Sequence, residues 1–402
     1  MNRRFQLSVV GFSTVLVCVL LFGATHARSA TDNPYNNLGV FSEVLAKIKI
    51  DYVEEPDMKA VTLGAINGML ESLDPYASYL NADQYKQYLK SKDQKKADVG
   101  VVLSKRFGYM GIIDSLPGSP AAKAGLGTGD VVESINNVST RDMPLAFAEL
   151  LLQGEAGTSI ELSVLRARKA EAQKVTLIRA DLVYPPVSAK LVSDQGPQPI
   201  GLISTVTLQP GRVKEIAAKI AELEKQGAKK LILDLRHCST GPEEEGIALA
   251  NLFMDKGLIT YTQGQKSAKQ EFQASASKMV TKLPLAVIVN RGTSGASEVA
   301  TAALLDSKRA EVIGERTYGN AAIRRAITME DGSAVILSVA KYYSPNGKSI
   351  QDAPGVTPST LQVDSDTMPA TDDEEDDATP TPLNQKPTDH LLFKTFEIIN
   401  KK

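Results

Sequence analysis

Histidine and cysteine, the side chains most often recruited for chemistry near neutral pH, are scarce in this chain of 402 residues: His26, His237 and His390, with Cys18 and Cys238. Three scattered imidazoles cannot build a His-rich metal site, and no metal or other cofactor is expected. The adjacent pair His237-Cys238 makes a poor base and nucleophile, because neighbours in extended chain point to opposite sides. A Ser/His/Asp arrangement has only His237 and His390 to draw upon. Serine and lysine are plentiful, which leaves a hydroxyl nucleophile served by an amine base open. The small-residue run Gly292-Thr293-Ser294-Gly295-Ala296-Ser297-Glu298 stands where an apolar helix begins, and Ser297 reads as its N-cap.

The elements that position these residues follow from pattern. Residues 1–30 read as an export signal or membrane anchor, with Arg3-Arg4, an apolar stretch from Leu7 to Ala24, and small residues Thr25 and Ala27 before a cleavage point. The chain is therefore expected in the periplasm or cell envelope, touching the membrane only through that anchor if it is uncleaved. Cleavage would leave Cys238 without an intrachain partner, so no disulfide framework is expected. The balance of 45 basic and 47 acidic residues argues against a nucleic-acid partner.

An α+β multidomain fold is expected. Residues 31–95 carry helical periodicity (Phe41, Val44, Leu45 and Ile48; then Val61, Leu63, Ile66, Met69 and Leu70 after Pro56). Residues 96–182 show five short β-branched runs and two helices, a compact β-rich module. Residues 183–362 alternate strand and helix, and continuous apolar strands such as Leu285-Ala286-Val287-Ile288-Val289 suit an α/β sheet covered on both faces. Residues 363–402 form an acidic tail, expected disordered from Asp364 to Pro387, and an amphipathic terminal piece from Leu391 to Ile399.

Several segments resemble the carboxyl-terminal processing proteases, envelope peptidases with a Ser/Lys pair and a PDZ domain. The motifs are Gly68-Met69-Leu70-Glu71-Ser72-Leu73-Asp74-Pro75-Tyr76, Gly118-Ser119-Pro120-Ala121-Ala122, Gly314-Glu315-Arg316-Thr317-Tyr318-Gly319 and Tyr343-Ser344-Pro345-Asn346-Gly347-Lys348. The resemblance implies that residues 96–182 are the PDZ domain and 183–362 the protease-like core. It also implies that protein or peptide C-termini bind along a sheet edge, their carboxylate held by the backbone of Asp98-Val99-Gly100-Val101. Asp98 replaces that loop's first glycine: pointing inward it would repel the ligand, pointing outward it would cap a turn. Arg166 falls where the family often has an arginine, either countering that charge or lying on the surface.

The same resemblance locates three changed positions. Where the family has its nucleophilic serine, this chain has Gly295. Where it has the lysine base, Asn320 follows Gly319, and the Gln that orients the lysine corresponds to Arg324, which stays protonated. On the oxyanion side, Thr240 replaces a glycine beside Gly241, and Ala296 supplies the other backbone donor. If a positive φ is needed at 240, a β-branched residue restricts it. The expected function is that of a pseudo-protease binding protein C-termini as scaffold or regulator, self-associated or paired with an active relative. The alternatives are an active serine-type endopeptidase with a relocated site, and a purely structural protein.

Overall fold

The computed structural model of the chain describes residues 37–92, 96–106, 108–141, 143–166, 169, 171–351, 355–363 and 389–401. The expected export segment, with Cys18 and His26, and the acidic stretch from Asp364 to Pro387 lie outside the described residues. Two compact units divide the chain, the first ending at Ala65 and the second starting at Ile66.

The first unit contains α1 (Leu38–Asp51) and the start of α2 (Met58–Glu71), which begins beyond Pro56, a residue that cannot donate to a continuing helix, and runs on past Ala65. No residue of α1 is buried, so its apolar face at Phe41 and Val44 is left uncovered.

The second unit holds three sheets. After β1 (Ser78–Leu80) and α3 (Ala82–Lys92) come β2 (Val101–Arg106), β3 (Tyr109–Ser115), the one-turn α4 (Pro120–Lys123), β4 (Val131–Ile135), β5 (Val138–Ser139), α5 (Leu145–Leu152), β6 (Ser159–Leu165) and β7 (Gln173–Ile178). Strands β2-β3-β4-β6-β7 form an antiparallel sheet in that order. Asn136 and Asn137, both at positive φ, turn β4 into β5, since Asn tolerates the left-handed region such tight hairpins need. Alternation along β6 puts Ile160, Leu162 and Val164 inward with Val99, Leu103, Met110 and Ala148.

The remainder runs β8 (Ser188–Val192), β9 (Ile200–Ser204), α6 (Arg212–Lys225), β10 (Lys230–Asp234), α7 (Glu243–Asn251), β11 (Leu258–Gln263), β12 (Gln270–Gln273), β13 (Leu285–Val289), α8 (Ala296–Asp306), β14 (Ala310–Gly314), β15 (Ala322–Thr328), β16 (Ala334–Tyr343), β17 (Thr360–Leu361) and α9 (His390–Asn400). One sheet has the order β17-β14-β13-β10-β9-β8, parallel except for the edge strand β8. Leu231, Leu233, Val287 and Val289 face α6, α7 and α8, whereas Ile232, Ala286 and Ile288 face Leu391, Phe396 and Ile399 of α9. Two covered faces account for the unbroken apolar strands. Asp389 caps α9 by accepting from Leu392 N at 2.8 Å and pairs with Arg236 at 2.7 Å, while the buried Lys230 Nζ donates to Ile399 O at 3.0 Å. His390 therefore stands on a docked helix rather than in a mobile piece, with its own side chain exposed.

The third sheet, β1-β16-β11-β12 with β15 on β16, is antiparallel. Its strand β15 reads Ala-Ile-Arg-Arg-Ala-Ile-Thr and is half exposed, which is why an apolar-run reading overlooks it.

Candidate functional site

Three loops leave the C-terminal ends of β10, β13 and β14, the edge of a parallel sheet where ligands generally bind. They are laced together before any reactive group is considered. Thr293 Oγ1 donates to Leu235 O at 2.9 Å, Ser294 N donates to Cys238 O at 3.0 Å, and Tyr318 N donates to Thr293 O at 3.0 Å.

Gly295 is the N-cap of α8, with φ 69° and ψ −124°, a conformation that side chains adopt only under strain. The cap is thus Gly295, not Ser297: Ser297 lies two residues inside, and its hydroxyl reaches Cys238 O at 2.5 Å and Ser294 O at 2.9 Å. Glu298 carries out the capping. Wholly buried, its carboxylate accepts from Gly295 N at 3.0 Å, Asn320 N at 2.8 Å and Gly319 N at 2.7 Å, and from the Thr317 hydroxyl. Burial raises its pKa, and these four donors oppose the rise. One carboxylate therefore fixes the turn at 295 against the loop at 317–320.

That lacing brings positions 295 and 320 face to face. Beyond its chain neighbours, a Cβ placed on Gly295 would meet only the backbone carbonyl of Asn320, at 3.7 Å, so space is open there and the torsion alone strains a side chain. Arg324 Nη2 donates to Asn320 Oδ1, and its guanidinium lies 3.8 Å from the centroid of the Tyr76 ring. Tyr76 is delivered from outside the core. The carboxylate of Asp74 accepts from Tyr76 N and Ala77 N at 2.8 Å each, which folds the motif of residues 68–80 back towards Arg324. Burial first, and then Tyr318, raise the Tyr76 hydroxyl well above its ordinary value. Neither the sequence spacing nor the Ser/Lys comparison singles out Tyr76 or Glu298 as partners of this centre; the signal was their presence inside quoted motifs.

The oxyanion-side loop corrects one expectation. Gly241, at φ 128°, has no room for a side chain, since a Cβ would stand 2.2 Å from Leu208 O. Thr240 is outside the positive-φ set, its carbonyl accepts from Leu208 N at 2.7 Å, and its hydroxyl meets Thr207 Oγ1 at 2.8 Å. The β-branched residue thus restricts nothing, because the next residue bears the unusual torsion. His237, at φ 57°, is in a turn and not in extended chain. Its Nδ1 lies 3.3 Å from Asp114 Oδ1 of β3 and its Nε2 2.9 Å from Asn290 Nδ2. Cys238 is buried, and burial drives its thiol pKa far above the ordinary range, so it forms no thiolate near neutral pH.

In the PDZ-like sheet, Asp98 pairs its backbone with Ala180 in both directions at 3.0 Å, and its Oδ1 accepts from Gly100 N at 2.8 Å. Val99 is buried in the core, and Val101 begins β2. Arg166 faces neither Asp98 nor open solvent: it pairs with Asp130 at 3.3 Å and donates to Ala124 O at 2.9 Å, tying down the end of α4. The cation acting on Asp98 is Arg179. Among the described residues, no group of three or more His, Cys, Asp or Glu side chains is placed to hold a metal.

Comparison with known proteins matches residues 199–361 to peptidase family S41, residues 111–166 to a PDZ domain and residues 23–84 to the N-terminal domain of the activating protease CtpB. The carboxy-terminal processing protease CtpA of Bacillus subtilis is 33% identical over 81% of this chain and 68% of its own length. A carboxyl-terminal-processing protease of Synechocystis is 33% identical over 74% of this chain and 71% of its own. Among solved structures, the photosystem II D1 C-terminal processing protease superposes with a TM-score of 0.66 at 28% identity, covering 80% of this chain and 86% of that one. Relatives of that identity and coverage, together with an S41 core and a PDZ domain in one chain, establish that this protein belongs to the carboxyl-terminal processing protease family.

Proposed function

We propose that this chain is a pseudo-protease of the family, an exported protein of the periplasm or cell envelope that binds protein C-termini through its PDZ domain without cleaving them. It serves as scaffold or regulator, self-associated or beside an active relative. The observation that carries the reading is the close approach of residues 295 and 320, the backbone carbonyl of Asn320 lying 3.7 Å from where a side chain on 295 would begin. A serine there would attack and a lysine opposite would take its proton; glycine has no nucleophile and an amide is no base. Arg324, bonded to Asn320, cannot deprotonate. The neighbouring hydroxyls offer no replacement. Ser297 is committed to two carbonyls, and Ser294 is buried with no hydrogen-bond partner for its hydroxyl among the described residues. The framework that would hold the chemistry, centred on Glu298, is intact.

The test is incubation of the purified chain with an unfolded polypeptide carrying an apolar C-terminus, alongside Ser294→Ala and Ser297→Ala. Binding without hydrolysis is expected. Turnover abolished by either variant would establish an active peptidase with a relocated site. Gly295→Ser with Asn320→Lys is expected to stay slow while Arg324 occupies the orienting position, and to gain hydrolysis when Arg324→Gln is added.

A further inference from the structure

The loop from Asp98 to Val101 would receive a ligand's terminal carboxylate on its backbone N–H groups, yet one of those groups is already engaged. Gly100 N donates to Asp98 Oδ1 at 2.8 Å. The loop cannot turn to offer a fresh set. Val99 O accepts from Ala121 N at 3.0 Å, and Gly100 O accepts from Leu116 N at 2.8 Å. Gly100 sits at φ 81°, and a Cβ there would be 2.4 Å from the Cβ of Ser119. Asp98 itself is held by its paired backbone bonds to Ala180. Donors and carboxylate are therefore fixed against each other by the fold.

We propose that Asp98 is an internal competitor for the carboxylate loop, so that the groove takes peptide strands largely by main-chain pairing and gains little from a free C-terminal carboxylate. This rests on the peptide-binding reading above and widens its ligand class from C-termini to extended strands in general. An arriving carboxylate meets a donor already in use and a like charge beside it, and both reduce its affinity. The charged groups around Asp98 are Arg179, which attracts it, and Glu149 on α5, with the Tyr184 hydroxyl also within its field. Arg179 offers no ready cradle for a ligand instead, because its guanidinium already donates to Leu151 O and Leu152 O at 2.8 and 3.0 Å.

The experiment measures fluorescence anisotropy of a labelled peptide ending in Ala-Ala-Val, as free acid and as C-terminal amide, against the full chain, Asp98→Ala and Asp98→Asn. The wild type is expected to bind acid and amide within about threefold of each other, since the charge-assisted bond is missing. Asp98→Ala should tighten the acid about tenfold and leave the amide unchanged, the amide also reporting that the groove is folded. Asp98→Asn, which keeps an acceptor but not the charge, should fall between. A wild type that prefers the acid about tenfold, unaltered in Asp98→Ala, overturns the role of Asp98 while leaving the peptide site standing. Absence of binding by all three proteins to both peptides overturns the peptide-groove reading and this inference with it.

Discussion

Two turns in this molecule set a larger residue, Thr240 or Asp98, close to a glycine at positive φ, and the two side chains act differently on the backbone around them. Beyond β10, Thr240 leaves the torsion to Gly241 at φ 128°, and its carbonyl accepts from Leu208 N while its hydroxyl meets Thr207 Oγ1. Before β2, Gly100 keeps φ 81°, but the new carboxylate of Asp98 engages the N–H beside it. The lesson is that a substitution in a backbone cradle is judged by what its side chain does to the donors. The loss of a glycine alone decides little.

The largest effect is expected from removing the carboxylate that holds the turn at 295 against the loop at 317–320. Glu298→Ala strands four donors in a buried site, three of them backbone N–H groups, and is expected to destabilise the second unit by about 3 kcal/mol or more. Urea unfolding followed by circular dichroism reads this directly. A loss under about 1 kcal/mol would mean that the turn at 295 holds without its carboxylate. Gly241→Ala against Thr240→Gly separates the two positions of one loop. The first drives a Cβ to 2.2 Å from Leu208 O and should cost about 3 kcal/mol, whereas the second forfeits one hydroxyl contact and should cost about 1 kcal/mol. Equal losses would show that Thr240 shapes the loop after all.

How far these contrasts could be foreseen varies with the kind of information each needs. The apolar strands Leu231–Leu233 and Leu285–Val289 announced a sheet covered twice, because continuous apolar sequence has no exposed face to spare. Positions 295, 320 and 324 stand out only through the resemblance to the family, and the fold sets the Asn320 carbonyl beside Gly295 and Arg324 on the Asn320 side chain. The torsions were illegible. Nothing in Arg236-His237-Cys238-Ser239-Thr240-Gly241 says that the positive φ falls on His237 and Gly241 and spares Thr240, since that is decided by packing against Leu208. Strand β15 escaped notice because Arg324 and Arg325 interrupt its apolar residues, and Tyr76 is brought to Arg324 by a turn nearly 250 residues earlier in the chain, a pairing that no local pattern encodes.

The smallest effect is the most direct comparison of the two turns, because it uses pH to empty one and leave the other alone. Burial raises the pKa of Asp98, while hydrogen bonds from Gly100 and Val99 and the charge of Arg179 hold it down, burial prevailing. With its pKa raised, Asp98 takes up a proton at a higher pH than an ordinary aspartate, while a peptide's terminal carboxyl, with an ordinary pKa near 3.5, stays ionised. The competitor weakens and its repulsion fades, so affinity for the free-acid peptide should rise about two- to threefold as the pH is lowered, with the amide flat. Glu149, whose carboxyl is pushed up to about 7 chiefly by desolvation, acts in the same direction. Asp98→Ala therefore isolates the share of Asp98: the slope should shrink to the part that Glu149 supplies and vanish when Glu149→Gln is added. A slope unchanged in Asp98→Ala would place the pH response elsewhere and return the PDZ turn to the same standing as the turn at Thr240, altered in sequence and unaltered in use.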